Sequence, residues 1–255
     1  MALSHRRKLI TILLILYWPL IFVLSHIPIA NIPPWVIQAA TSDKALHYLA
    51  YLVLVFLLWF AISPDSKVNW RRQIVWWVLS AVIWYGALDE WLQGYVGRNP
   101  DIMDFLADLA GALTGLILLS IFPFWSASLA LAGAVVFVFT IFMQANLADL
   151  MPVTNTIFHL SAYGLFTLLW IQCMHHYLPL KPPEFKWLAG AIIVPASFLS
   201  SVKLFVFVTD KGFRIQEIIV SLTAIVAVVV TVYIAALLRC CFNTKLSPSD
   251  FERSV

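Results

Sequence analysis

Apolar and polar positions fall in long blocks along this chain rather than alternating at the period of an amphipathic helix or strand. Eight apolar segments, near 8–25, 45–62, 73–93, 102–122, 126–146, 156–176, 187–208 and 214–239, are separated by short polar or proline-bearing stretches. Each is about long enough, as a helix, to cross a ~30 Å hydrocarbon layer. The pattern predicts an all-α polytopic membrane protein with about eight transmembrane helices. The first segment follows His5, Arg6, Arg7 and Lys8; no small-residue cleavage site follows it and further spans do, so it reads as a retained helix and not a signal peptide. The stretch Ile27 to Ser42, with Pro28, Pro33 and Pro34, reads as an outer loop with a short interfacial piece.

One stretch interrupts this pattern. Five of the thirteen acidic residues, Asp89, Glu90, Asp101, Asp104 and Asp108, crowd between two apolar runs. An unpaired carboxylate in hydrocarbon costs several kcal/mol, so these groups are solvated, paired or functional. Asp101, Asp104, Asp108, Gly111 and Gly115 step by three or four and share one helical face. Gln93 shares a face with Asp89 or Glu90 on the helix before. Gly111 and Gly115 form a small-xxx-small pair, which admits a neighbouring helix at close range.

Composition narrows the class. With 62% hydrophobic and 11% charged residues the chain is no ordinary soluble domain. Eleven Trp suit interfacial belts. A net charge of +3 gives no nucleic-acid footprint. Cys173, Cys240 and Cys241 have no metal-ligand spacing with His and are expected as reduced thiols. Charge location says more than the sum. With the N-terminus inside, eleven Lys and Arg fall on the inner face and five (Lys44, Arg98, Lys203, Lys211, Arg214) on the outer, accounting for all sixteen. Nine acids fall outside, among them Asp149, Asp210 and Glu217. Both termini are then cytoplasmic and the acidic island faces outward.

The second half repeats the first. Leu46 to Tyr51 aligns with Phe158 to Tyr163, placing His47 over His159 and Tyr51 over Tyr163. Asp101 to Gly115 aligns with Arg214 to Val228, placing Asp104 over Glu217. The expected organisation is two parallel four-helix repeats, 1–123 with the polar site and 124–255 as a degenerate copy. Asn155, Thr156 and Ser221 stand there in place of Asp43, Lys44 and Asp108, and Lys203 in place of Glu90. Any chemistry belongs to the first half. Lys203 is expected either to pair with first-half acids or to snorkel outward.

Asp43, His47 and Tyr51 lie four apart on one face, with Lys44 beside them. The orientation puts the start of the second span, the end of the third and the start of the fourth at one depth. Asp43, Lys44, His47, Asp89, Glu90, Gln93, Arg98, Asp101, Asp104 and Asp108 therefore converge. Each has a plainer role as well. Asp43, Asp101 and Asp104 stand where acids cap helices, Arg98 could pair with Asp101, His47 could bridge helices, and Tyr51 could anchor or pack.

Three of these stretches, Asp43-Lys44 with His47 and Tyr51, Asp89-Glu90 with Gln93, and Arg98 with Asp104, Gly111 and Gly115, resemble the VanZ-like family of bacterial membrane proteins over residues 8–122. Asp108 departs from the pattern, since many members carry Asn there. The resemblance implies a bacterial cytoplasmic membrane setting and, for some relatives, low-level resistance to the glycopeptide teicoplanin; it implies no particular reaction. In that setting the partner is a membrane lipid or a lipid-linked envelope precursor. His47, Asp43, Glu90 and Asp104 are the candidate catalytic groups, since a histidine among carboxylates moves protons near neutral pH. Lys44, Tyr51, Asp89, Gln93, Arg98, Asp101 and Asp108 are the candidate substrate contacts, with Lys44 and Arg98 suited to an anionic headgroup. No cofactor or metal motif is evident, although His47 with Asp43, Glu90 and Asp104 offers donors for a divalent ion. The alternative is a lipid- or antibiotic-binding module without turnover. A transporter ranks below both, because the charges sit at helix ends and not at mid-membrane.

Overall fold

The computed structural model describes residues 3–27, 43–63, 66–144, 152–209 and 213–245. The proline-bearing stretch after Ile27 and the Asp149, Asp210 and Lys211 positions lie outside these, as do the side chains of Asp43, Cys240 and Cys241. Among the described residues the regular structure is helical throughout, with a long helix at each of the eight apolar segments: α1 (Leu3–Ser25), α2 (Asp43–Ile62), α3 (Gln73–Gln93), α4 (Ile102–Ile121), α5 (Phe124–Gln144), α6 (Pro152–Tyr177), α7 (Phe185–Val208) and α8 (Ile215–Lys245). Seven are long and apolar enough to cross a membrane. The exception is α3, where Trp76, Trp77, Trp84 and Tyr85 together with Asp89 and Glu90 dilute the aliphatic content.

The chain divides into two compact units at Leu150/Met151. This differs from a boundary at 123/124, because α5 packs on α2 and α4, with Phe124 edge-on to Phe60 at 4.5 Å and Ala127 in the shared core. In the first unit α1 to α4 run alternately up and down. Arg7 at the start of α1 donates to the Ala61 carbonyl at the end of α2. Lys67 and the Val68 amide, just before α3, reach the Ile121 and Leu119 carbonyls at the end of α4. That end carries Arg7, Lys67, Arg71 and Arg72; the opposite end carries the acids.

The tightest contact is α2 against α4, and glycine sets it. A Cβ on Gly111 would run into the Tyr48 carbonyl oxygen, and one on Gly115 into the Val55 side chain. The small-xxx-small face therefore takes α2, and backbone meets backbone there. Below it Leu54, Val55, Trp59, Val75, Val82, Ala112 and Leu116 fill a closed core. Helix α3 ends in a 3-10 turn, Gly94–Val96, and Gly97 at φ 78° supplies the left-handed residue that turns the chain toward α4. Asp101 starts α4 by accepting from the Met103 amide at 2.9 Å.

In the second unit α6 packs mainly on α8, and α7 covers both. Ile171, Met174, Trp187, Ala191 and Val229 form its core.

Candidate functional site

The up-and-down order brings the start of α2, the end of α3 and the start of α4 together at the acidic end of the first unit. Six polar side chains there are nearly inaccessible, Asp89 and Gln93 among them; the other four, His47, Glu90, Asp104 and Asp108, are 8%, 7%, 7% and 1% exposed. His47 Nδ1 lies 3.0 Å from Asp108 Oδ1, and its Nε2 lies 4.0 Å from Asp104 Oδ2. The imidazole is thus held between two carboxylates one helical turn apart on α4. Glu90 Oε2 accepts from the Asp101 amide at 3.1 Å and so ties α3 to the start of α4.

Lys44 forms the rim. Its ammonium donates to Asp101 at 2.8 Å and to Asp104 at 3.3 Å, and it is 54% exposed. The Lys44 hydrogen bond, reinforced by the Met103 amide, holds the Asp101 carboxyl below its usual range. Arg98 donates to the Ser25 carbonyl at 2.7 Å.

Asp89 and Gln93 face the other way, toward the end of α1. Gln93 donates to Asp89 at 3.0 Å, Ser25 donates to Asp89 at 2.9 Å, and His26 Nδ1 lies 3.6 Å from the same carboxylate. The ten converging groups therefore form two adjoining clusters rather than one, with the Asp43 side chain outside the described residues. Tyr51 is 3% exposed and lies one turn below His47, its ring 5.8 Å from Tyr85.

Ser25, His26 and Tyr85 were not singled out from sequence. Tyr85 had a readable signal, standing four residues before Asp89. His26 had a weaker one, following the first apolar segment at its outward end.

Several buried atoms have no hydrogen-bond partner among the described residues: Glu90 Oε1, Asp108 Oδ2 and the hydroxyls of Tyr51 and Tyr85. Chemically, the cluster combines a proton-transfer group held in orientation by Asp108, a surplus of carboxylates, and one accessible cation.

The second unit holds a related cluster, in which Asn155 Oδ1, His159 Nε2 and the Tyr163 hydroxyl have no hydrogen-bond partner among the described residues. His159 Nδ1 lies 3.3 Å from Ser221 Oγ, and its Nε2 lies 3.5 Å from Glu217. Asn155 donates to Glu217 at 2.8 Å, and Lys203 donates to it at 2.5 Å. Lys203 is thus not snorkelled outward. It is 3% exposed and neutralises Glu217 within its own unit.

The chain matches no family model, no curated protein and no solved structure.

Proposed function

We propose that this is a multi-pass bacterial inner-membrane protein of the VanZ-like type, which binds or acts on an anionic lipid or lipid-linked envelope component at an outward-facing site. The likeness to that family rests on the residues quoted from the sequence. The observation that carries the functional reading is the burial of His47, Glu90, Asp104 and Asp108 at one helix end with Lys44 at the rim. So many polar groups are not kept beside an apolar core without a use for them.

Membrane insertion is supported by surface. The apolar side chains Ile12, Leu13, Ile15, Leu16, Val23 and Leu24 of α1 are all exposed, which suits hydrocarbon and not water. Orientation is supported by polarity, with Arg7, Lys67, Arg71 and Arg72 at the end opposite the acids. A lipid is supported by a groove of about 530 Å³ between α1 and α3, lined by Leu14, Ile15, Trp18, Pro19, Phe22 and Tyr85. It is apolar, and Tyr85 on its wall stands one turn before Asp89, so an acyl chain there leaves its headgroup at the acidic end of the unit. The surplus of acids keeps an anion out of the buried centre, so the headgroup meets Lys44.

The internal repeat is supported by the pairings. His47 with Asp104 and Asp108 corresponds to His159 with Glu217 and Ser221 at nearly constant sequence offset, and the same nitrogens face the corresponding partners. If the site turns over, His47 held by Asp108 moves the proton.

Native mass spectrometry of the protein extracted from its own membranes tests the lipid reading. The wild type is expected to carry a lipid that Lys44→Ala loses in most molecules. A wild type without lipid, or equal occupancy in the variant, contradicts it.

A further inference from the structure

We propose that His47, Glu90 and Asp108 form a binding site for a divalent transition-metal ion of the Zn²⁺ or Mn²⁺ kind. Each residue comes from a different helix, α2, α3 and α4. Each offers one ligand atom, and the three atoms lie within 4.8 Å of one another. Around a tetrahedral ion with bonds of about 2.0–2.2 Å, ligand atoms stand roughly 3.4 Å apart. Small turns of the two carboxylates close that difference. One imidazole nitrogen with two carboxylate oxygens suits a borderline ion better than Mg²⁺ or Ca²⁺, which take oxygen alone.

Unused donors point to the same spot. Glu90 Oε1 and Asp108 Oδ2 have no hydrogen-bond partner among the described residues, and neither has the Tyr51 hydroxyl, although all three side chains are more than nine-tenths buried. Tyr51 and Asp108 both stand beside Gly86. A Cβ placed on Gly86 would lie 3.4 Å from Asp108 Oδ2 and 3.5 Å from Tyr51 Cε1, the ring carbon beside the hydroxyl-bearing one. The phenol edge and the open carboxylate oxygen therefore both border the space left by the missing Gly86 side chain.

The second unit shows what that position requires. Where the first has Lys44, Glu90, Asp104 and Asp108, the aligned residues are Thr156, Lys203, Glu217 and Ser221. Among the buried side chains of these sets, the first has three carboxylates and no cation, while the second has one carboxylate with Lys203 on it. In the second unit the lysine ammonium is the built-in cation, seated on Glu217. In the first a carboxylate replaces that lysine, so three buried acids stand together with Lys44 only at their rim, an excess of negative charge that suits a divalent ion. Neutral His47 is the ligand and also the base, so an ion on it excludes proton transfer by it at the same moment. A bound ion also removes the repulsion that the acidic centre exerts on an anionic headgroup.

Ions alone are the probe, so the outcome is independent of the lipid reading: a protein that binds the ion and no lipid keeps this inference and loses that one. Tag-free, chelator-treated protein in detergent is titrated calorimetrically with Zn²⁺ and with Mn²⁺. Expected is one equivalent of at least one ion, with Glu90→Gln and Asp108→Asn each weakening it tenfold or more and His159→Ala leaving it unchanged. X-ray absorption of the loaded wild type, which needs no variant to fold, is expected to show one imidazole and oxygen ligands. Absence of stoichiometric binding, affinity unchanged in both variants, or a metal spectrum without imidazole overturns the inference.

Discussion

At the scale of single residues, the two clusters make opposite predictions for stability. Glu217 is held by Lys203, Asn155 and His159, so Lys203→Met leaves a buried carboxylate without its cation. Breaking a buried pair from one side costs about 3–5 kcal/mol, and a large fall in the melting temperature of the purified protein is expected. Glu90 has one oxygen without a partner among the described residues and no cation on it among the contacts above. Glu90→Gln removes a buried charge, so its melting temperature is expected to stay level or rise. A loss equal to that of Lys203→Met would show that Glu90 is a structural half of a pair. The same Glu90→Gln protein separates chemistry from recognition. If Glu90 and His47 exchange protons with a substrate, lipid affinity survives while the cellular phenotype is lost; if the site only recognises, both fall in proportion. Much of this was legible in the sequence, because carboxylates are rare enough in apolar helices for each to carry information. The pairing was not. Arg98 on Asp101 was one plain reading, yet Lys44 is one turn from His47 and reaches both Asp101 and Asp104, which sequence spacing between separate helices does not reveal.

At the scale of helices, the approach of α2 to α4 positions the site, and it depends on one missing atom. A Cβ at Gly111 meets backbone, the Tyr48 carbonyl, which cannot turn aside as a side chain can. Overpacking of this kind typically costs about 1–3 kcal/mol. Gly111→Ala is expected to lower the melting temperature and to loosen the His47–Asp108 contact one turn away. Gly164→Ala on α6, where Val228 lies at 3.8 Å, is expected to be tolerated. Equal melting curves for the two variants would mean that α2 and α4 are not held by that contact. Helix positions were readable because long apolar blocks leave little choice, and Gly111 with Gly115 announced a close neighbour. Which helix that neighbour was, and that α5 packs with the first unit, depended on tertiary packing that periodicity does not encode.

At the scale of the whole molecule, charge polarity predicts topology. Single cysteines in a cysteine-free variant, placed beside Arg98 or Arg71, are expected to react with an impermeant thiol reagent in intact spheroplasts at the first position and not at the second. Labelling at Arg71 alone would reverse the orientation. The deeper asymmetry lies between the two units. The first is rich in buried acids, while the second has matching positions filled by a lysine, an amide and a hydroxyl. The first is then built for a ligand and the second for its own stability. One comparison tests this most directly: melting temperature and lipid occupancy, measured on the same preparations of His47→Ala and His159→Ala. Expected is loss of lipid from His47→Ala with little change in melting, and a lowered melting temperature for His159→Ala with its lipid retained. Loss of lipid from His159→Ala alone, or equal loss from both variants, would contradict the division of roles.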